Sequence, residues 1–414
     1  MSIILIAFWV ILYILVLNYV LKQEMANKKS GQDCRFCSSP LTEIIDFGNV
    51  ALAGGFLRKE DFEAEKKYPL KLCYCVACYS VQIEKTVPSD VMFRNYFYFS
   101  SATASIRNHF KEYAAEVVER FNPETAIEIG CNDGVLTEPL RQAGVRVIGV
   151  DPSNTIPDGP DMIRDYFTET VASKIGRVDL VIANNVFAHV EDIRGITKAV
   201  TMCLTDNGVF VIEVHYLGDM LDKLQYDWVY HEHIYYYSLI SLEVHLSRFG
   251  LSVFDVKPVK THGGSMRYYV CRKDKHEIKN SVVDLRNREI ERGLDRLAVF
   301  DEFGDRVRSH RKAMRIVADS LSGGVAGYGA SGRANTILQY CGISVDYIVD
   351  DAEAKHGFYT PGTHIPIVSR EHLLTDPPDH VIAFAWGYAD EIRAKCGLPM
   401  IVPLPKIELL EGKA

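Results

Sequence analysis

From Thr125 onward the chain alternates short apolar runs with stretches of helical period. AIEIG (126–130) runs into a glycine turn, and LTEPLRQAG (136–144) follows with the spacing of a helix. VRVIGVDPS (145–153) is a second apolar run, and VDLVIANN (178–185) a third. A helix over roughly Asp192–Leu204 leads to GVFVIEVH (208–215). Strands alternating with helices predict a doubly wound parallel sheet, an α/β fold. LSVFDVKPV (251–259) and SMRYYVCR (265–272) read as two more strands, paired antiparallel at its edge. Upstream, HFKEYAAEVVERF is helical and stops at Asn122-Pro123.

The pattern changes twice more. Glu277–Leu321 is charged, helical in period and free of proline, which predicts one long amphipathic helix or a helix pair between domains. A shorter α/β unit then starts at Val325, with VAGYGASGRANTILQYCG, VDYIVDD and HVIAFAWGYADEI. At the other end, residues 2–21 are almost entirely apolar and Lys22, Lys28 and Lys29 follow. That length spans a bilayer, and the lysines would keep the remainder on the cytoplasmic side as a membrane tether. The rival reading is an upstream extension, because Met25 opens an ordinary soluble N-terminus.

The length of 414 residues accommodates two or three domains. A net charge of −8 argues against nucleic acid as the partner. It says nothing of oligomeric state. Of ten cysteines, four form two CxxC pairs, Cys34/Cys37 and Cys75/Cys78. Two such knuckles offer four thiolates to one tetrahedral Zn2+ and leave no open position, so the site is expected to be structural. Cys73 adjoins the second pair at a looser spacing.

Two glycine turns compete for a cofactor. Gly327-Tyr-Gly329-Ala-Ser-Gly332 matches GxGxxG, with Asp350 and Asp351 about twenty residues on, which taken alone suggests NAD and an oxidoreductase. The turn at Glu128, Gly130, Asn132 and Gly134 differs in charge. Asp151 ends the next strand and suits ribose hydroxyls, while Glu128 and Asp133 would repel a pyrophosphate. They suit the sulfonium and ammonium of S-adenosyl-L-methionine. EIGCNDG…VDPS resembles the motifs of class I S-adenosylmethionine-dependent methyltransferases. That resemblance implies a Rossmann-like domain with cofactor contacts at Asn184 in IANN and at Asp165 in IRDYF.

The ordered set CRFC, YPLKLCYCVACYSVQI, NYFYFSSATAS, EIGCNDG, NNVFAHVEDI, YHEHIYYYS, HGGSMR and GYGASGRA is more specific than any one motif. From Cys34 to about Pro405 the chain resembles the sugar C-methyltransferases that act on nucleotide-linked keto-deoxysugars. The resemblance implies a zinc-binding module (30–95), a methyltransferase domain (96–275), a helical linker (276–322) and a smaller C-terminal α/β domain (323–414), after the apolar segment 1–24. It implies that the Gly327 turn shapes the substrate cleft and holds no nicotinamide. It places Tyr230, Glu232 and His233 at the active site, with His233 the favoured base, adds His189 from FAHV, and makes Tyr96 and Tyr98 an aromatic pair closing over cofactor and substrate.

The chemistry agrees. Carbon methylation of a ketone needs a base for the adjacent proton and donors for the enolate oxygen, tasks that suit histidine and tyrosine. If YHEH is extended, Tyr230 and Glu232 face one way and His231 and His233 the other; a loop relaxes that division. His231 is the member least expected to matter. His262 and Arg267 in HGGSMR are candidate substrate contacts, and either Arg267 or Arg333 suits a diphosphate. An O- or N-methyltransferase on the same architecture is the alternative within this class.

Overall fold

The computed structural model describes residues 29–93, 101 and 104–412. Residues 2–21, Tyr96 and Tyr98 lie outside this range. Among the described residues, no helix is long and apolar enough to cross a membrane.

Three sheets organise the chain. The first has strands β1 (Lys29–Asp33), β2 (Pro40–Ala51), β3 (Lys67–Tyr74) and β4 (Val81–Ile83), in that order and antiparallel. The second has the parallel strands β5 (Thr125–Ile129), β6 (Arg146–Val150), β7 (Met162–Ile163), β8 (Val178–Asn184) and β9 (Leu204–His215). At its edge β12 (Ser265–Arg272) pairs antiparallel with both β9 and β11 (Leu251–Val259), as the sequence predicts. The order is β11-β12-β9-β8-β5-β6-β7. Ile127, Val181, Ile182, Val211 and Ile212 have no exposed surface. Such continuous apolar runs are what a parallel sheet covered on both faces requires.

Helix α1 (Ala104–Phe121) precedes β5 and stops where Asn122-Pro123 predicts. Helices α2 (Thr137–Gln142), α3 (Glu169–Ile175), α4 (Ile193–Cys203), α5 (Leu217–Asp222) and α6 (Leu239–Ser247) accompany the sheet. The charged stretch resolves as a pair, α7 (Asn280–Glu291) and α8 (Leu297–Ser320). Gly293, at φ +80°, breaks the helix between them in a conformation that favours glycine.

In the third sheet, β13 (Val325–Tyr328) leads through the second glycine turn into α9 (Gly332–Cys341). β14 (Tyr347–Val349), β15 (Ile367–Val368), β16 (His380–Ala383) and β17 (Met400–Val402) are parallel to it, and β18 (Glu408–Leu410) closes antiparallel. The order is β15-β14-β13-β16-β17-β18. This unit grips the first sheet: Leu57 and Tyr359 exchange backbone hydrogen bonds, and Asn335 Nδ2 donates to the Ala53 carbonyl at 2.6 Å.

One connection changes the picture of the N-terminal module. The two-residue strand β10 (Tyr235–Tyr236) pairs antiparallel with β4 and becomes the fifth strand of the first sheet. It follows YHEH closely. A helix then starts at Ser238, whose hydroxyl caps the Ser241 amide.

Glu289 of α7 supports that start. It is buried, and it accepts from the Leu239 and Ile240 amides at 2.9 Å and from the Tyr216 hydroxyl at 3.0 Å. Burial pushes its carboxyl up to about 7. A carboxyl raised above its unfolded value holds its proton more tightly when folded. Stability is therefore greatest below the unfolded value near 4.5 and declines as pH rises through about 7, at up to about 1.4 kcal/mol per pH unit. Glu289→Gln is expected to flatten this slope in thermal unfolding between pH 4.5 and 7. An unchanged slope would assign it to another group.

Candidate active site

The four cysteines converge. Cys34 Sγ lies 3.5 Å from Cys78 Sγ and Cys37 Sγ 3.4 Å from Cys75 Sγ, and all four sulfurs fall within 4.8 Å of one another. Tetrahedral zinc at about 2.3 Å from each sulfur would set them about 3.8 Å apart, so the cluster fits the ion. The knuckles are built alike. The Cys34 and Cys75 amides donate to the carbonyls of Ser39 and Ser80, and Ser38 and Tyr79 both adopt φ +62°. Cys73 is not in this set; it is buried on β3, and burial pushes its thiol up to about 12.

YHEH is a turn and not a strand, so the division into alternating faces is relaxed. Tyr230 and His233 lie together, with Tyr230 Oη 3.2 Å from His233 Nε2 and ring centroids 4.2 Å apart. His231 is buried elsewhere, edge-on to Tyr68. His233 Nδ1 is 2.9 Å from the Trp228 carbonyl. A carbonyl only accepts, so Nδ1 carries the proton and Nε2 presents its lone pair. The Trp228 ring stacks on that of His233 at 5.2 Å and 20°. His189 stands 4.9 Å away, its Nδ1 2.6 Å from the Glu232 carbonyl. Burial lowers the His189 pKa to about 4. It is thus uncharged at neutral pH and does not oppose a charge arriving on His233.

The first sheet contributes to the same place. In the loop after β2, a Cβ built on Gly54 would lie 2.7 Å from Glu232 Oε1, so this carboxylate rests against the Gly54 backbone. The C-terminal domain closes another side, with Gly332 against the Tyr230 ring: a Cβ at Gly332 would stand 3.7 Å from Tyr230 Cζ.

The first glycine turn adopts left-handed conformations at Gly130 (φ +69°), Asn132 (φ +47°) and Gly134 (φ +80°). A Cβ on Gly130 would strike Val186 at 2.2 Å. Asp151 accepts from the Asn132 amide at 2.9 Å and the Ser153 amide at 2.8 Å. Asp165 is exposed just past β7, the strand that pairs with the end of β6 before Asp151. Both polar atoms of the Asn184 side chain, and Asp133 Oδ1, are buried with no hydrogen-bond partner among the described residues. Buried polar groups are normally satisfied, so these orphans fit a polar ligand over the ends of β5 and β8. Glu128 is buried, takes the Thr137 hydroxyl, and burial raises its carboxyl to about 8. Its carboxyl thereby ties the end of β5 to the helix that follows the turn.

Two expected substrate contacts are also placed differently. Arg267 is buried, with Nε and Nη2 on Glu213 at 2.9 and 2.7 Å and Nη1 on Glu116 at 2.7 Å. Its guanidinium lies 3.4 Å from the Tyr113 ring centroid. Saturated by two carboxylates, it has no edge left for a diphosphate. Arg333 donates from Nε to Asp227 Oδ2 at 2.8 Å; its Nη2 lies 2.7 Å from the same oxygen as an ion pair, without hydrogen-bond geometry. His262 belongs to the short turn Thr261–Gly263 between β11 and β12.

The GxGxxG turn is filled by the protein itself. A Cβ on Gly327 would meet Phe384 at 2.8 Å, and one on Gly329 would meet Ala385 at 2.6 Å. Asp350, the acidic residue of the fingerprint, already accepts from the Ala330 amide and from Lys355. Packing and internal hydrogen bonds account for these glycines without a dinucleotide.

Comparison with known proteins decides between the readings. C-methyltransferase NovU of Streptomyces niveus is 32% identical, over 92% of this chain and 97% of that protein. The chain belongs to this C-methyltransferase family. The C-methyltransferase C-terminal domain family matches residues 260–401, the methyltransferase domain family 105–256, and a zinc binding domain family 34–93. A ubiquinone biosynthesis O-methyltransferase of Methylobacterium sp. (strain 4-46) is 33% identical, over 21% of this chain and 39% of that protein. Magnesium protoporphyrin IX methyltransferase (ChlM) from Synechocystis PCC 6803, solved with bound SAH, covers 40% of this chain and 83% of its own at 18% identity and TM-score 0.32. The strand order of the second sheet and the methyltransferase-domain match make this an S-adenosylmethionine-dependent C-methyltransferase with a class I Rossmann-like domain, and the four cysteines of its zinc binding module fit a zinc ion.

Sequence reasoning missed Asp227, Trp228 and Trp386 as parts of this site. The first two stand just before YHEH, and that adjacency was the available signal.

Proposed function

We propose that this C-methyltransferase methylates the carbon next to the ketone of a nucleotide-linked keto-deoxysugar. The observation that carries the reading is the pairing of His233 Nε2 with Tyr230 Oη while Nδ1 is held by the Trp228 carbonyl. A carbon acid needs a base with a fixed lone pair, and an O- or N-nucleophile needs one less urgently. His233 Nε2 takes the proton beside the ketone. The Tyr230 hydroxyl, released from Nε2 as the imidazole becomes charged, donates to the enolate oxygen. Neutral His189 holds the Glu232 backbone, and Glu232 is poised for a sugar hydroxyl. S-adenosylmethionine, when bound at Asn132, Asp151, Asp165 and Asn184, supplies an electrophilic methyl group. The new C–C bond forms as the C–S bond breaks, and the sulfur keeps the electron pair.

Incubation with methyl-labelled S-adenosylmethionine and a panel of nucleotide-linked keto-sugars tests this. The label is expected on the carbon beside the ketone. Label on oxygen or nitrogen, or no transfer to any keto-sugar, would overturn it.

A further inference from the structure

Asp227 has no exposed surface, yet it is an acid. Its Oδ2 receives Arg333 Nε at 2.8 Å and Trp386 Nε1 at 2.8 Å, with Arg333 Nη2 2.7 Å away. All three nitrogens come from the C-terminal domain. The Arg333 guanidinium in turn lies 4.8 Å from the Trp228 ring centroid and 4.7 Å from that of Trp386. A cation against two indoles gains from both π faces. Arginine combines a permanently charged N–H donor with a flat stacking surface.

Asp227 and Trp228 are consecutive, and the Trp228 carbonyl is the acceptor that fixes the His233 tautomer. Holding this one turn at both side chains therefore holds the carbonyl. We propose that Asp227 and Arg333 are positioning residues that set the orientation and tautomer of His233 through Trp228, and that this clamp is what the second glycine turn is for. The turn delivers Arg333 to Asp227, one residue past Gly332, where the backbone comes close to Tyr230. Its charge is matched by a buried carboxylate and its faces lie against two indoles, while Nη2 has no hydrogen-bond partner among the described residues. The inference rests on His233 being the base, but its main readout needs no sugar.

In full-length protein labelled with 15N-histidine, the resting enzyme shows His233 as the Nδ1–H tautomer. Asp227→Asn and Arg333→Gln each convert this signal to a mixture of tautomers and lower kcat about 10- to 100-fold. S-adenosylmethionine affinity by calorimetry stays within about threefold. Because each single variant strands a buried charge, the double variant D227N/R333Q serves as the folding control. Acting as one unit, the pair costs no more kcat in the double variant than in the worse single. An unchanged His233 tautomer in all three variants overturns the proposal, whatever sugar is used. So does a raised KM for the nucleotide sugar with kcat retained, which would make Arg333 a substrate ligand.

Discussion

His233→Asn is expected to lower turnover by about 10²- to 10⁴-fold, the range that a positioned general base contributes. S-adenosylmethionine should bind the variant nearly as well as the native enzyme. The reason is spatial. The Gly130–Gly134 turn and Asp151 follow β5 and β6, whereas His233 is on a turn between α5 and β10. Asparagine retains a donor for the Trp228 carbonyl, so the turn keeps its anchor while the basic lone pair is lost. Proton removal and methyl transfer can be read apart. With a keto-sugar in deuterated solvent and no cofactor, the native enzyme should wash deuterium into the position beside the ketone, and the variant should not. Exchange at the native rate in His233→Asn would move the base elsewhere, with His189 next to be tested. Its low pKa argues against that assignment at neutral pH, because an imidazole at about 4 is a weak proton acceptor.

Removal of zinc should be almost as damaging, although the ion takes no part in the chemistry. Cys78→Ser, or prolonged exposure to a strong chelator, is expected to abolish stoichiometric zinc and reduce turnover at least tenfold. Cofactor affinity should change little. The route is continuous in the structure. Phe36, inside the first knuckle, packs on Tyr235, Tyr237 and His245 at 5.2, 6.2 and 4.5 Å. Arg35 fixes the other edge by donating to Gln82 and to the Ile83 and Glu84 carbonyls. Ile83 donates its amide to the carbonyl of Ile234, the residue after His233, at 2.9 Å. Structural zinc supplies folding free energy directly, about 10–16 kcal/mol in isolated finger peptides. Here a packed module shares that load, so partial order and lost alignment are expected, not a random coil. Metal analysis, turnover and calorimetry with S-adenosylmethionine on the same sample check this. A zinc-free enzyme with native turnover would show the module to be dispensable.

Much of this was legible in the sequence because it depends on local pattern. The parallel strands announce themselves as apolar runs. The helix pair follows from period, and the CxxC spacing already specifies a four-sulfur cluster. The Gly130 turn is readable too, since its glycines fall where the chain takes left-handed conformations. What was not legible depends on long-range partners. Arg267 looks like a free cation in HGGSMR until Glu213 and Glu116 are seen to consume it. Glu128 gives no sign in the sequence of its bond to Thr137. YHEH reads as well in a strand as in a turn, because what settles it is the Trp228 carbonyl and a C-terminal domain that begins about ninety residues later.

The membership of Tyr235–Tyr236 in the first sheet carries a practical consequence for anyone recombining these enzymes. Ladder partners at 81–82 and 235–236 are separated by most of the methyltransferase domain. A chimera cut at the covalent seam near residue 100 would leave the histidine turn with one parent and the strand beside it with the other. Swaps meant to change acceptor preference should therefore keep residues 29–93 and 226–238 from a single parent, with the stretch around 332–333 and 386 travelling with them. The inheritable unit for the acceptor side is a mosaic of four segments, and only the cofactor side can be exchanged as one contiguous block.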